Sequence, residues 1–266
     1  MFTQYFGLKF NPFTKEIEEK HLYASVDFKE LDSRLDYMKK TRGFFLLTAD
    51  AGVGKTTALR SFASALNPGL YRVCYSAVSS LTVMDFYRAL IMGMGAVPEF
   101  VKIKMFDQLQ RLILASHEKR VTPVFIIDEA QSLSNGILED LRMIFNFKMD
   151  SENPFILILA GNHIIRHKLQ LSAHQALRQR FVGNYHMQGL SKDETSKYLS
   201  SRMKIAGAAD PTVFSEAAVE SIHNQTNGAP RLVNNLAGAS LTLAAISERK
   251  LVDDEIVYQA AKDIEI

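Results

Sequence analysis

The stretch that most restricts what this chain can build begins with four apolar residues, Phe44, Phe45, Leu46 and Leu47. It closes on Gly52-Val53-Gly54-Lys55-Thr56-Thr57. The apolar run fits a short buried strand, the two glycines a loop, and residues 56–66 a helix. A strand, a tight loop and a helix in that order make a phosphate cradle. The glycines let successive N–H groups point inward, and the helix start adds a partial positive charge. The Lys55 ammonium then reaches β- and γ-phosphates, and the Thr56 hydroxyl suits Mg²⁺. Asp50, Ala51, Gly52, Val53, Gly54 and Thr57 complete the expected nucleotide contacts. One letter departs from G-x-x-x-x-G-K-[ST]: Ala49 replaces the first glycine, which is expected to alter the entry turn if that position needs φ > 0. An ordinary Gly-rich strand-to-helix turn is the plain alternative.

A length of 266 residues accommodates one large domain or two small ones, and 47% hydrophobic residues suits a globular protein. Lys+Arg of 31 against Asp+Glu of 29 leaves a net charge of +2, so a nucleic-acid face has to come from local clustering. The single cysteine, Cys74, has no partner for an internal disulfide and reads as a buried small hydrophobe, a usage that fits a reducing cytoplasm. Residues 1–13 lack a basic region followed by an apolar run, so no signal peptide is expected. The greasiest segments, 155–160 and 236–246, are too short or too polar for a bilayer span, and no membrane partner is expected.

Strands are expected at 71–75, 124–127, 155–160 and 182–187 besides the one before the loop. Helices are expected at 27–40, 84–94, 105–118, 137–147 and 171–180. Strands alternating with helices imply a parallel sheet with helices on both faces. Phe2, Tyr5, Phe6, Phe10 and Phe13 crowd the start of the chain; core packing is the default for them, and a share in an adenine pocket the alternative. After about residue 190 the strands stop. Ser191-x-x-Glu194 forms a capping box, Asn227-Gly228 ends a later helix, and Pro230 sits at the first position of the next. The expectation is an αβα domain over 1–190 and a helical one over 191–266.

Further groups carry chemistry. Val124 to Ile127 delivers Asp128 and Glu129 at a strand's C-terminal edge, the placement that lets Asp128 hold Mg²⁺ with Thr56 and Glu129 polarise an attacking water. Helix capping is the plainer use of such a pair. Asn162 ends the fourth strand, where it either helps place the water or serves as a turn asparagine. Arg178 and Arg180 precede the fifth strand. Either one, supplied to a neighbouring subunit, could act as an arginine finger worth about 10³–10⁵ in rate, and sequence does not choose between them. Arg231 lies in the first turn of a helix, where a cation opposes the dipole and calls for an external anion such as nucleotide phosphate.

These features in this order resemble an AAA+ ATPase: Walker A, Walker B as Asp128-Glu129-Ala130-Gln131, sensor 1, arginine finger, and sensor 2 in a helical lid. More narrowly, several blocks look like the ExeA/TniB/TnsC group: Tyr5-Phe6-Gly7-Leu8 with Asn11-Pro12-Phe13, Ile126-Ile127-Asp128-Glu129-Ala130-Gln131, Leu159-Ala160-Gly161, and Leu177-Arg178-Gln179-Arg180. That group includes general-secretion protein A and ATP-dependent regulators of DNA transposition, and Asn162 stands where it more often has Gln. The resemblance implies ATP and Mg²⁺ as cofactors and a homo-oligomer, ring or helical filament. It further implies a cytoplasmic regulator that assembles on double-stranded DNA and recruits or activates a transposase. Secretion-type relatives add a membrane span and a peptidoglycan-binding region, which this sequence does not carry. Lys102, Lys104, Lys119 and Arg120 are the candidate DNA-phosphate contacts, solvated lysines being the ordinary alternative. Two other roles remain open: an ATPase of secretion-complex assembly, and a nucleotide-gated scaffold with little turnover.

Overall fold

A computed structural model describes residues 2–14, 21–77 and 82–264. In chain order the elements are α1 (Phe2–Tyr5), α2 (Val26–Thr41), β1 (Gly43–Ala49), α3 (Lys55–Ala65), β2 (Tyr71–Ala77), α4 (Val83–Gly93) and α5 (Lys102–Glu118). Then come β3 (Thr122–Asp128), α6 (Asn135–Ile144), β4 (Ile156–Gly161), α7 (His163–Gln170), α8 (Gln175–Arg178) and β5 (Phe181–Met187). Four helices close the chain: α9 (Lys192–Ile205), α10 (Glu216–Thr226), α11 (Pro230–Ile246) and α12 (Asp254–Asp263). Two compact units result, one of Glu30–Asp50 and Lys55–Met187, the other of Met1–Lys29, Ala51–Gly54 and Gln188–Ile266.

The first unit is built on a five-stranded parallel sheet of order β2-β3-β4-β1-β5. Every position of β1, β3 and β4 is buried, as central strands covered on both faces must be, whereas β2 and β5 at the edges mix exposed and buried positions. Phe44 sits edge-on to Phe145, Phe155 and Phe181 with ring centroids 5.4–5.9 Å apart, a cluster that locks β1 to its neighbours. Cys74 is buried in β2, and burial pushes its thiol up to about 12, with Arg72 pulling weakly the other way.

Two local outcomes differ from the expected helices. The spacing predicts one helix over 171–180; instead α7 starts directly after β4. The Asn162 side chain accepts a hydrogen bond from Ile164 N–H (2.9 Å), so the residue expected to place a water or to serve in a turn is a helix N-cap. Leu171 is extended (φ −60°, ψ 143°) and stops that helix, leaving a 3₁₀ turn and the four-residue α8. The helix expected from 105 starts three residues earlier, at Lys102, so Lys102 and Lys104 lie in its first turn.

The second unit is helical. Its core holds Leu199, Met203, Ile222, Val233, Leu236, Leu241 and Val257, with Leu8 and Phe13 buried among them. Phe13 meets Phe214 edge-on at 6.2 Å, and Lys9 N–H donates to the Ala206 carbonyl at 2.8 Å. These contacts group the N-terminal aromatics with the C-terminal helices, whereas the sequence grouped them with the sheet. Separation along the chain gave no sign of which apolar surface they would cover. The capping box at α9 is complete: Glu194 N–H donates to Ser191 Oγ, and Glu194 Oε2 accepts from Ser191 N–H. Among the described residues no helix is long and apolar enough to cross a membrane.

Candidate nucleotide-binding site

The loop after β1 takes its shape from two glycines, Gly52 at φ 81° and Gly54 at φ 118°, a region closed to ordinary side chains. Ala49 is the last residue of β1, fully buried and paired with Met187, and it does not carry positive φ. The expected strain at this position is therefore absent, because the first letter of the motif falls on extended backbone that alanine adopts freely. Lys55 opens α3, and its Nζ donates to the carbonyls of Ala49 (2.7 Å) and Asp50 (3.1 Å), which curls the ammonium back over the loop.

The sheet brings together residues 72 positions apart. Thr56 Oγ1 donates to Asp128 Oδ2 at 2.8 Å, although β4 lies between β1 and β3. Asp128 is only 2% exposed; Tyr75 O–H also donates to its Oδ2 (3.3 Å), and Glu129 N–H to its Oδ1 (2.9 Å). Burial, and then the Asp128 and Glu129 carboxylates, push the Tyr75 phenol above its ordinary value. A hydroxyl and a carboxylate at this separation are hard oxygen donors of the kind Mg²⁺ takes alongside phosphate oxygens, so these residues fit that ion. Among the described residues no group of three or more His, Cys, Asp or Glu forms a metal cage.

Glu129 adopts the left-handed conformation (φ 56°, ψ 36°), an unusual backbone for a glutamate, and carries an exposed side chain. Gln131 Nε2 donates to Glu129 Oε2, and Gln131 Oε1 accepts from Asn162 N–H at 3.2 Å. The sequence singled out Asn162, whose side chain is spent on capping α7, and gave no role to Gln131. Its signal was its place two residues after Glu129, within the Asp128-Glu129-Ala130-Gln131 motif.

The other candidates scatter. Arg178 is exposed at the end of α8, while Arg180 Nη1 donates to the Arg142 carbonyl. Lys102 pairs with Asp140 at 2.7 Å, which gives its charge a partner inside the chain; Lys104, Lys119 and Arg120 are exposed. Within the helical unit, Arg231 N–H donates to the Gly52 carbonyl at 3.2 Å. A Cβ on Gly52 would lie 2.9 Å from the Arg231 Cβ, so this glycine is also required by the approach of α11.

A parallel sheet of this order, with a glycine loop after β1 and paired carboxylates after β3, is the α/β fold of AAA+ P-loop ATPases. Residues 38–169 match the family model described as an AAA domain. The chain is 32% identical over 265 residues to "General secretion pathway protein A" of Aeromonas hydrophila, covering 98% of this chain and 48% of that protein; it thus spans about half that relative's length. Among solved structures it is similar to Cdc6p from Pyrobaculum aerophilum (TM-score 0.68, 18% identity, 95% of this chain and 70% of that one). It is also similar to Drosophila ORC bound to DNA (0.71, 13%, 96% and 64%). A third is the Thermotoga maritima RuvB Holliday junction branch migration motor (0.55, 20%, 91% and 72%). These three likenesses establish fold.

Proposed function

We propose that this chain binds Mg·ATP and hydrolyses it to ADP and phosphate. The observation that carries the reading is the 2.8 Å pairing of Thr56, at the start of the helix after the glycine loop, with the buried Asp128 at the end of β3, as a shared Mg²⁺ site requires. Thr56 and Asp128 hold the ion, which when bound neutralises charge on the phosphates. The backbone N–H groups of residues 50–54 and the start of α3 bind the phosphate oxygens, and Lys55 leaves its two carbonyl partners for the β- and γ-phosphates. Glu129 orients and deprotonates the attacking water, and Asn162 at the head of α7 assists only if its side chain leaves the Ile164 N–H that it caps. Arg231 meets phosphate from α11, and Arg178 or Arg180 of one copy reaches the nucleotide of the next in a homo-oligomer. Arg178 is favoured for that role, because Arg180 is held by the Arg142 carbonyl.

Replacing Lys55 with alanine is expected to abolish binding of a fluorescent ATP analogue while leaving the thermal midpoint nearly unchanged. Wild-type affinity in that variant would sink the reading.

Two roles for the ATP cycle have separate support. The subgroup motifs support a regulator of DNA transposition that assembles on duplex DNA and engages a transposase, with Lys104, Lys119 and Arg120, and Lys102 once released from Asp140, against the phosphates. The 32% identity to general secretion pathway protein A supports an ATPase of secretion-complex assembly. ATP-dependent duplex binding, measured with a non-hydrolysable analogue, separates them. Shifted DNA favours the first role; its absence favours the second.

A further inference from the structure

Resting on the ATPase reading above, we infer that Gln131 is a positioning residue for the hydrolytic glutamate: its carboxamide ties the Glu129 carboxylate to the backbone N–H of Asn162 at the head of α7. An exposed glutamate on a left-handed turn has several side-chain rotamers open to it. A general base works only when it is held within hydrogen-bond reach of its water. The Gln131 amide removes that freedom. Its nitrogen donates to Glu129 Oε2 and its oxygen accepts from Asn162 N–H at 3.2 Å. A carboxylate partner on one side and an N–H on the other fix which way the amide points, and only a carboxamide satisfies both.

The surroundings are shaped around this group. A Cβ on Gly161 would lie 2.6 Å from Gln131 Oε1, its nearest neighbour, and 3.0 Å from Ile165 Cγ2, so the amide oxygen is the first group that a side chain at the end of β4 would displace. Lys168 Nζ reaches back from α7 to the carbonyls of Gln131 (2.6 Å) and Leu133 (3.0 Å). The backbone of the turn is therefore held by Lys168 independently of the Gln131 side chain. Removing the amide alone leaves the turn folded and frees the glutamate.

Two substitutions test this in the full chain: Gln131→Met, which keeps length and loses both hydrogen bonds, and Gly161→Ala, which displaces the amide oxygen. Both are expected to lower kcat for ATP by about tenfold to 100-fold; in Gln131→Met, KM, the affinity for a fluorescent ATP analogue and the thermal midpoint stay near wild type. In single-turnover assays on a Glu129→Gln background, Gln131→Met is expected to cost nothing further, because its target is gone. A merely structural role lowers the rate equally on both backgrounds, and that result overturns the proposal. So does a kcat that falls in Glu129→Gln but not in Gln131→Met. Undiminished turnover in Glu129→Gln overturns the role of Glu129 as the base, and the assignment of Gln131 with it; a wild-type chain without ATP turnover overturns the ATPase reading instead.

Discussion

Single residues here are tuned by what surrounds them rather than by type. Asp128 and Glu129 are neighbours in sequence, yet one is buried and accepts three hydrogen bonds while the other projects from a left-handed turn. That split suits the two tasks proposed for them, holding an ion and handling a water. Cys74 shows the same dependence in a group with no catalytic task. Its thiol is raised from an ordinary 9.0 to about 12, mainly by burial. The native state then keeps its proton where the unfolded chain loses it, so this group's contribution to stability is full below pH 9 and falls as pH rises towards 12. Native protein at pH 8 is expected to resist a thiol reagent and to react promptly in urea. Rapid labelling without denaturant would contradict that burial.

At the scale of elements, helix starts do much of the work. The Ser191–Glu194 box opens α9, and Glu194 Oε1 also accepts from Val26 N–H at 2.7 Å, so one carboxylate satisfies two separate backbone donors. Burial pushes this carboxyl up, but those N–H donors outweigh it and hold it below its ordinary 4.5. Its stabilising contribution is therefore present above that value and lost as pH falls through and below it. Ser191→Ala is expected to cost about 1 kcal/mol, read as a lowered denaturant midpoint at pH 7. No change there would show that α9 does not depend on its cap. The start of α7 was hidden in the sequence for a related reason. Asn162 after Gly161 reads equally as a turn or a cap, and periodicity alone could not favour a helix that begins the moment a strand ends. The pairing of Lys102 with Asp140, 38 residues on, was likewise invisible before folding.

For the whole molecule, the two proposed roles differ in what they predict on duplex DNA. If copies assemble on duplex DNA, their affinity with a non-hydrolysable analogue is expected to fall steeply between 50 and 200 mM salt, by about 10³-fold or more for six or more phosphate contacts. Alanine at Lys104, Lys119 and Arg120 together is expected to flatten that slope. A slope untouched by the triple substitution would remove those residues from the interface. The chain spans 48% of its secretion relative, so that protein's full activity is not carried over by the match.

The sequence by itself determined the phosphate loop, the acidic pair after a buried strand, the parallel α/β class and the capped helices after residue 190. Each of these is written in local spacing: glycines where the backbone must turn, apolar runs where both faces are covered, capping residues where N–H groups lack partners. Only the tertiary structure decided that Ala49 is harmless, that Phe13 belongs to the helical core, and that Gln131 stands between Glu129 and Asn162. Those outcomes depend on atoms brought together from different strands and helices. The free energy of such contacts comes from burial and hydrogen-bond geometry, which no local pattern encodes.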